Sequence, residues 1–488
     1  MNRIAKFMQR YALLLAIMIV TISSFSIYFF RYNVPNSPYW DENYHIASAE
    51  KYLTGTFFFE PHPPLGKMLI ALGEKVTHSN SDIDKSSFNN TDFIKNFPTN
   101  YSFFGVRLLP TIFAVIASIL FFILIFTLTK SIIISLATWL FYLLDTAIIL
   151  HFRGAMLDGI QITFSLAALI FFATLVQDKT KSYFWKMTFL GLFVGLAVAT
   201  KLNGLYLLSL YLFLIPWKQI RHILSRDFCR EIIAIFYSIL VGCLVVLSIY
   251  ITHLAITENI VDDRTYELDQ TPIDIVKNGY KNPTDYLTMT VKYIEYENKY
   301  NTKVPALNLT SPTENGSPPL TWAFGIKPIR YRYDTNFVDT SYLYLTPNPV
   351  VWGIGLIGLI LSISLIISKF LFKLEVVDKK LYKLITVFCF LYLSYMVPMF
   401  FISRVMYLYH YIPALVISII LFGLNLAYLR SIYRRRETIF TIVIALLIAM
   451  TVYVFCLYSP LVYYKKISCP ELKGLEISKL WQMSCPTK

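Results

Sequence analysis

Two adjacent carboxylates, Asp41-Glu42, stand about ten residues beyond a long apolar run that ends at Phe30, with His45 close behind. Acids beside a bilayer surface can meet a lipid headgroup. A carboxylate so placed can take the proton from a hydroxyl as its oxygen attacks an electrophilic carbon, which is general-base catalysis. A solvated acid pair or a helix N-cap fits the same two residues. Paired carboxylates also suit a divalent cation such as Mg²⁺ or Mn²⁺. An obligatory metal is not expected, because the seven histidines are scattered and no His/Asp/Glu group has ligand spacing. Further along, His62-Pro63-Pro64 fixes the backbone ahead of an amphipathic stretch, 65–76, because proline suits a first helical turn. That stretch reads as a helix lying along a membrane surface, and His62 alone serves equally well as a helix-entry residue.

The elements that must carry these residues follow from composition. The chain has 488 residues, 56% of them hydrophobic, and a mean hydropathy of +0.55. This is an all-α integral membrane protein rather than a soluble one. A helix needs roughly 20 apolar residues to cross the hydrocarbon core. Candidate spans are 11–30, 106–129, 131–150, 158–176, 187–200, 204–216, 231–252, 350–372, 384–402, 411–429 and 438–458, about eleven in all, of which 187–200 and 204–216 are short. The run at 11–30 follows Arg3, Lys6 and Arg10 but lacks a small-residue cleavage site, so it reads as a retained helix. The formal charge of +14 does not mark a nucleic-acid binder, because the basic residues sit in short loops between apolar runs.

Those loops set the orientation, since Lys and Arg gather on the cytoplasmic side. Alternate threading puts the N-terminus, Lys130, Lys179/Lys181/Lys186, Lys218/Arg221/Arg226/Arg230, Lys373/Lys379/Lys380/Lys383 and Arg430/Arg434/Arg435/Arg436 on that side. Two long polar segments, 31–105 and 253–349, then fall outside. The second is rich in Tyr, Asn, Pro and Thr, with helix expected around 272–277 and 285–296, and reads as a cap or acceptor groove. The chain divides into an N-terminal catalytic membrane module, 1–252, the cap, 253–349, a four-helix membrane module, 350–459, and an external tail, 460–488. Of six cysteines only Cys469 and Cys485, in that tail, suggest a disulfide.

The run from Asp41 to Gly73, DENYHIASAEKYLTGTFFFEPHPPLGKMLIALG, resembles the first external loop of the protein O-mannosyltransferase family, with its acidic pair, aromatic run and HPPLGK. Further similar stretches follow in order: Val106-Arg107-Leu108-Leu109, His151 to Asp158, Lys201-Leu202-Asn203-Gly204, and Arg404 to Pro413 with Tyr407, His410 and Tyr411. The resemblance implies a GT-C glycosyltransferase fold with two extracytoplasmic loops carrying short helices. It also implies inverting, single-displacement transfer of mannose or a related sugar from a polyprenyl-phosphate carrier to Ser/Thr hydroxyls of proteins. Asp41 is then the general base and Glu42 its support. Arg107, Arg153, Lys201 and Arg404 fall at external helix ends, where the charge bias makes cations scarce, and are expected to hold the donor phosphate. His62, Asp158, Tyr407, His410 and Tyr411 are expected to line the donor and acceptor pocket. Eukaryotic members carry a β-trefoil MIR domain in the large external loop, for which 253–349 is too short, so a prokaryotic form in the inner membrane is implied. The chain departs from the family at His151-Phe152-Arg153, where an acid and Ser are usual, and at Leu202, where Trp is usual; both bear on the donor more than on the reaction.

Two other classes remain open on sequence alone. The same fold can glycosylate a lipid such as lipid A. A transporter would carry ionisable residues along a path through its spans, and Asp145 is the clearest acid inside one.

Overall fold

The computed structural model describes residues 3–177, 182–217, 223, 225–261, 269–311, 314–335, 340–433, 437–478 and 480–485, with side chains from Arg10 onward. Several of the basic residues expected to set orientation, at 179, 181, 218, 221 and 434–436, lie outside the described residues.

In chain order the elements are α1 (Arg3–Phe29), three helices of the first polar segment, α2 (Glu42–Thr54), α3 (Leu65–Thr77) and α4 (Ser86–Asn89), then α5 (Phe104–Thr129), α6 (Ile132–Leu143), α7 (Thr146–Arg153), α8 (Asp158–Gln177) and α9 (Tyr183–Thr200). A 3-10 helix, Leu202–Phe213, leads to α10 (Arg226–Ile256). The second polar segment holds α11 (Gln270–Asn278), α12 (Pro283–Lys303), α13 (Pro319–Trp322) and the strands β1 (Ile329–Thr335) and β2 (Thr340–Leu345). Then come α14 (Pro349–Leu371), α15 (Lys379–Met399), α16 (Ile412–Ile432), α17 (Glu437–Val462), β3 (Lys466–Ile467) and α18 (Cys469–Gly474).

Nine described helices are long and apolar enough to cross a bilayer, ten when α6 and α7 count as one bent span. The expected span at 131–150 breaks at Asp145, and its halves meet at 65°. Asp145 caps α7 by accepting from the Ile148 amide at 2.9 Å, and its other oxygen takes the Trp352 indole N–H at 2.9 Å. A side chain that satisfies the free amides of a helix start ends one helix and begins another. The expected span at 204–216 is the short 3-10 segment, so length and composition alone give one span fewer than the eleven expected. A three-stranded antiparallel sheet in the order β1-β2-β3 is an addition to the helical architecture.

At the centre lies α16, with 94% of its apolar window buried. Elsewhere in the bundle α9 and α10 approach so closely that a Cβ on Gly195 would stand only 2.6 Å from the Gly242 carbonyl. Small residues let two backbones touch in a medium where apolar burial alone does not drive helices together. Among the described residues, the basic connections at Lys130, Lys380 and Arg430 gather at one end of the bundle, where Arg430 reaches Ser131 and pairs with Glu437 at 3.1 Å. The two long polar segments meet at the other end. There the Phe57 amide donates to the Asn259 carbonyl at 2.6 Å and the Asn259 amide to Gly55 at 2.9 Å, and Phe57 and Phe59 pack with Tyr250, Leu254, Met289 and Tyr293.

Candidate active site

The acidic pair divides as soon as α2 begins. Glu42, fully buried, takes the Arg107 guanidinium in two bonds of 2.8 and 2.7 Å and also accepts from the backbone amides of Tyr39 and Ala155. The remaining Arg107 donors go to the carbonyls of Pro35 and Ser37 at 2.6 and 2.8 Å. Each nitrogen of Arg107 and each carboxylate oxygen of Glu42 has a partner, as a buried pair requires. From α2, His45 Nδ1 also meets the Ala155 carbonyl at 2.9 Å, so that helix is fixed both to α5 and to the α7–α8 loop. Asp41, at the N-cap of α2, makes no capping bond with its side chain. Its carboxylate is half-buried and accepts from the Tyr409 hydroxyl at 3.3 Å. Loss of water around it raises its pKa above the ordinary carboxyl value, while His151, Lys201 and the Tyr409 bond pull in the opposite direction.

Beside Asp41 lies a second ionic group. Asp158 receives Lys201 Nζ at 2.8 and 3.0 Å and His151 Nε2 at 2.9 Å. Lys201 stands over the Tyr409 ring, 5.3 Å from its centre. Tyr409 therefore spans the site, with its hydroxyl on Asp41 and its face toward Lys201. His151 stacks on Tyr409 at 4.8 Å and meets the Tyr331 hydroxyl at 2.7 Å.

A cleft of about 710 Å³ opens here, and its polar lining includes Lys201, Arg404, His62 and His410. Its apolar wall includes Leu202, Leu205, Pro398, Met399, Phe401 and Ile402, from the 3-10 segment and the end of α15. Cations beside an apolar wall match a ligand with an anionic head and a hydrocarbon tail. Burial, then Lys201 and Arg404, hold the His62 pKa down at about 3, so its imidazole is neutral.

The structure thus brings together Asp41, Asp158, Lys201 and Tyr409, with Arg404, His62 and His410 along the adjoining cleft. The four cations separate: Arg107 is held by Glu42, and Arg153 is buried with donors on the carbonyls of Tyr28, Phe30 and Val462. Tyr407 closes edge-on over Trp40 at 5.2 Å, His410 Nδ1 bonds back to Tyr407, and Tyr411 turns away to Tyr392. Among the described residues, no group of three or more His, Cys, Asp or Glu side chains is placed to hold a metal ion. Trp40, Tyr331 and Tyr409 were not among the expected site residues. Tyr409 lies within one of the family-like stretches, and the alternating aromatics Tyr331, Tyr333, Tyr342 and Tyr344 were a readable strand signal.

A family profile described as "Dolichyl-phosphate-mannose-protein mannosyltransferase" matches residues 18–259, and one described as "C-terminal four TMM region of protein-O-mannosyltransferase" matches residues 289–481. Curated relatives include dolichyl-phosphate-mannose–protein mannosyltransferase 2 of Candida albicans, 27% identical over 40% of this chain and 26% of its own length. Protein O-mannosyl-transferase 2 of Drosophila melanogaster is 27% identical over 39% of this chain and 25% of its own length. The aligned region is thus about a quarter of each relative. The solved S. cerevisiae protein O-mannosyltransferase Pmt1-Pmt2 complex bound to the sugar donor superposes with a TM-score of 0.84 at 14% identity, covering 96% of this chain and 93% of that one. The fold is that of a GT-C multi-pass membrane protein. The chain belongs to the protein O-mannosyltransferase family, as the motifs at Asp41 to Gly73 imply.

Proposed function

We propose that this chain transfers mannose from a polyprenyl-phosphate carrier to Ser/Thr hydroxyls of proteins in one inverting displacement. Asp41 takes the hydroxyl proton as the acceptor oxygen bonds to the anomeric carbon, and the bond from that carbon to the phosphate oxygen breaks with its electrons on the phosphate. Lys201 and Arg404 match the charge the phosphate gains, and such stabilisation of developing charge lowers the barrier. The residues named here carry the step without an obligatory metal. His62 and His410 line the donor side, while Arg107 and Arg153 hold the frame.

The observation that carries this reading is Tyr409, whose hydroxyl meets the free carboxylate of Asp41 while its ring lies under Lys201. One ring thus fixes a base at its hydroxyl and a phosphate-binding cation over its face, and a displacement needs both groups held in place around the anomeric carbon. We place the loop-bearing end on the extracytoplasmic face of a prokaryotic cell membrane, supported by the basic short connections at the other end and by a cap segment of two longer helices and a hairpin. The capping role of Asp145 counts against a transport path through α6 and α7.

The test is transfer of radiolabelled mannose from polyprenyl-phosphate mannose to a Ser/Thr peptide by the purified chain. Label in the peptide, lost in Asp41→Asn, supports the proposal. Label only in lipid indicates a lipid acceptor, and no label with any acceptor overturns it.

A further inference from the structure

Tyr331 reaches the site from β1, far along the chain from the acidic pair. It is 7% exposed. Its ring lies on that of Trp40, with centroids 4.9 Å apart and planes 13° from parallel. Its hydroxyl meets His151 Nδ1 at 2.7 Å. Asp158 holds His151 Nε2 and the Tyr331 hydroxyl holds Nδ1, so the imidazole is fixed at both nitrogens.

Both of these contacts lead to Asp41. Trp40 is the preceding residue, and its φ of 53° is left-handed, a conformation that a large side chain keeps only when its surroundings hold it. Tyr331 from one side and Tyr407 edge-on from another hold the indole in this turn. On the carboxylate side, His151 stacks on Tyr409, whose hydroxyl donates to Asp41. The backbone and the carboxylate of Asp41 are thus each steadied by an aromatic chain that ends at one phenol.

We infer that Tyr331 is a positioning residue for Asp41, acting through Trp40 on its backbone and through His151 and Tyr409 on its carboxylate. The inference rests on Asp41 being the base. It makes segment 253–349 a supplier of the active site as well as its cover. The hairpin is firm enough for this, because β2 pairs with β1 on one side and with β3 on the other.

The test compares Tyr331→Phe, which keeps the stacked ring and loses the hydroxyl, with Tyr331→Leu, which loses both, in the full chain with polyprenyl-phosphate mannose and a Ser/Thr peptide. Tyr331→Phe should lower kcat roughly 10-fold and Tyr331→Leu roughly 100-fold, with both KM values nearly unchanged, since small misplacements of a reacting group cost that much. Tyr331→Phe added to His151→Phe should lower kcat no further than His151→Phe alone. Wild-type kcat in both Tyr331 variants overturns the inference. So does a loss of activity that only follows the loss of folded protein. A wild-type chain that labels no peptide overturns the proposed function and this inference with it; labelling that is indifferent to Tyr331 overturns the inference alone.

Discussion

Glu42 and Arg107, 65 positions apart in sequence, form a fully buried ion pair with two bonds below 3 Å, while the neighbouring Asp41 keeps its carboxylate for Tyr409. Two adjacent acids thus have different roles. Removing one partner of such a pair leaves the other charge buried, at a cost of about 3–5 kcal/mol. Arg107→Met is expected to lower the thermal midpoint sharply, and Glu42→Gln less so, because the amide still bonds to the guanidinium. Equal midpoints for both variants and wild type would show that the pair is dispensable.

Asp41→Asn keeps nearly the same shape and cannot accept the hydroxyl proton. Transfer should fall by roughly 10²–10⁴-fold, with the midpoint within a few degrees of wild type. Turnover at the wild-type rate at equal expression would remove Asp41 from the base role.

Lys201 and Arg404 line the same cleft but differ in their ties. Lys201→Met takes a partner from buried Asp158, so it should cost both stability and donor use. Arg404→Met should raise donor KM and lower kcat with little change in midpoint. An effect of Arg404→Met confined to peptide KM would assign that residue to the acceptor.

Glu297 of α12 is 1% exposed and bonds to Tyr250 at 3.0 Å. Burial lifts its pKa from the ordinary 4.5 to about 7, against the Tyr250 bond and the pull of Lys67. Folding favours the protonated form, so the stability from this group is present below pH 4.5 and is lost as pH rises through about 7. The wild-type midpoint should fall between pH 5 and pH 8 by a few degrees more than that of Glu297→Gln. Parallel curves for the two proteins would refute the assignment.

Cys469 and Cys485 are joined by a disulfide across 16 positions, directly after β3. Closing a loop of that size is worth about 3 kcal/mol in the chain-entropy account. Unfolding without reductant should leave both thiols closed to alkylation. Cys469→Ser should lower the midpoint and, through β3 and the hairpin, kcat as well. Full labelling of both cysteines in unreduced protein would exclude the bridge.

Much of this was legible in the sequence wherever the signal is local. Apolar runs marked the spans, Pro63-Pro64 marked the start of α3, and the helices expected at 272–277 and 285–296 are the centres of α11 and α12. The break at Asp145 could have been read from an Asp-Thr pair inside an apolar run, a capping signal that hydropathy smooths over. The four cations looked alike because charge bias records a side of the membrane and not a partner. Arg107 and Arg153 find their acceptors up to 309 positions away, and only the folded chain distinguishes them from Lys201 and Arg404. Tyr331 was hidden for the same reason, since its partners lie on other elements.

The Arg153 guanidinium takes carbonyls from α1, made long before it, and from Val462, made 309 residues after it. At a synthesis rate of roughly 5–20 residues per second, that second acceptor follows on the order of half a minute later. Until α17 arrives, one N–H of Arg153 lacks the acceptor it has in the folded chain. The Arg153 guanidinium thus ties the first helix to the last long one, and its bonding is complete only when both are in place.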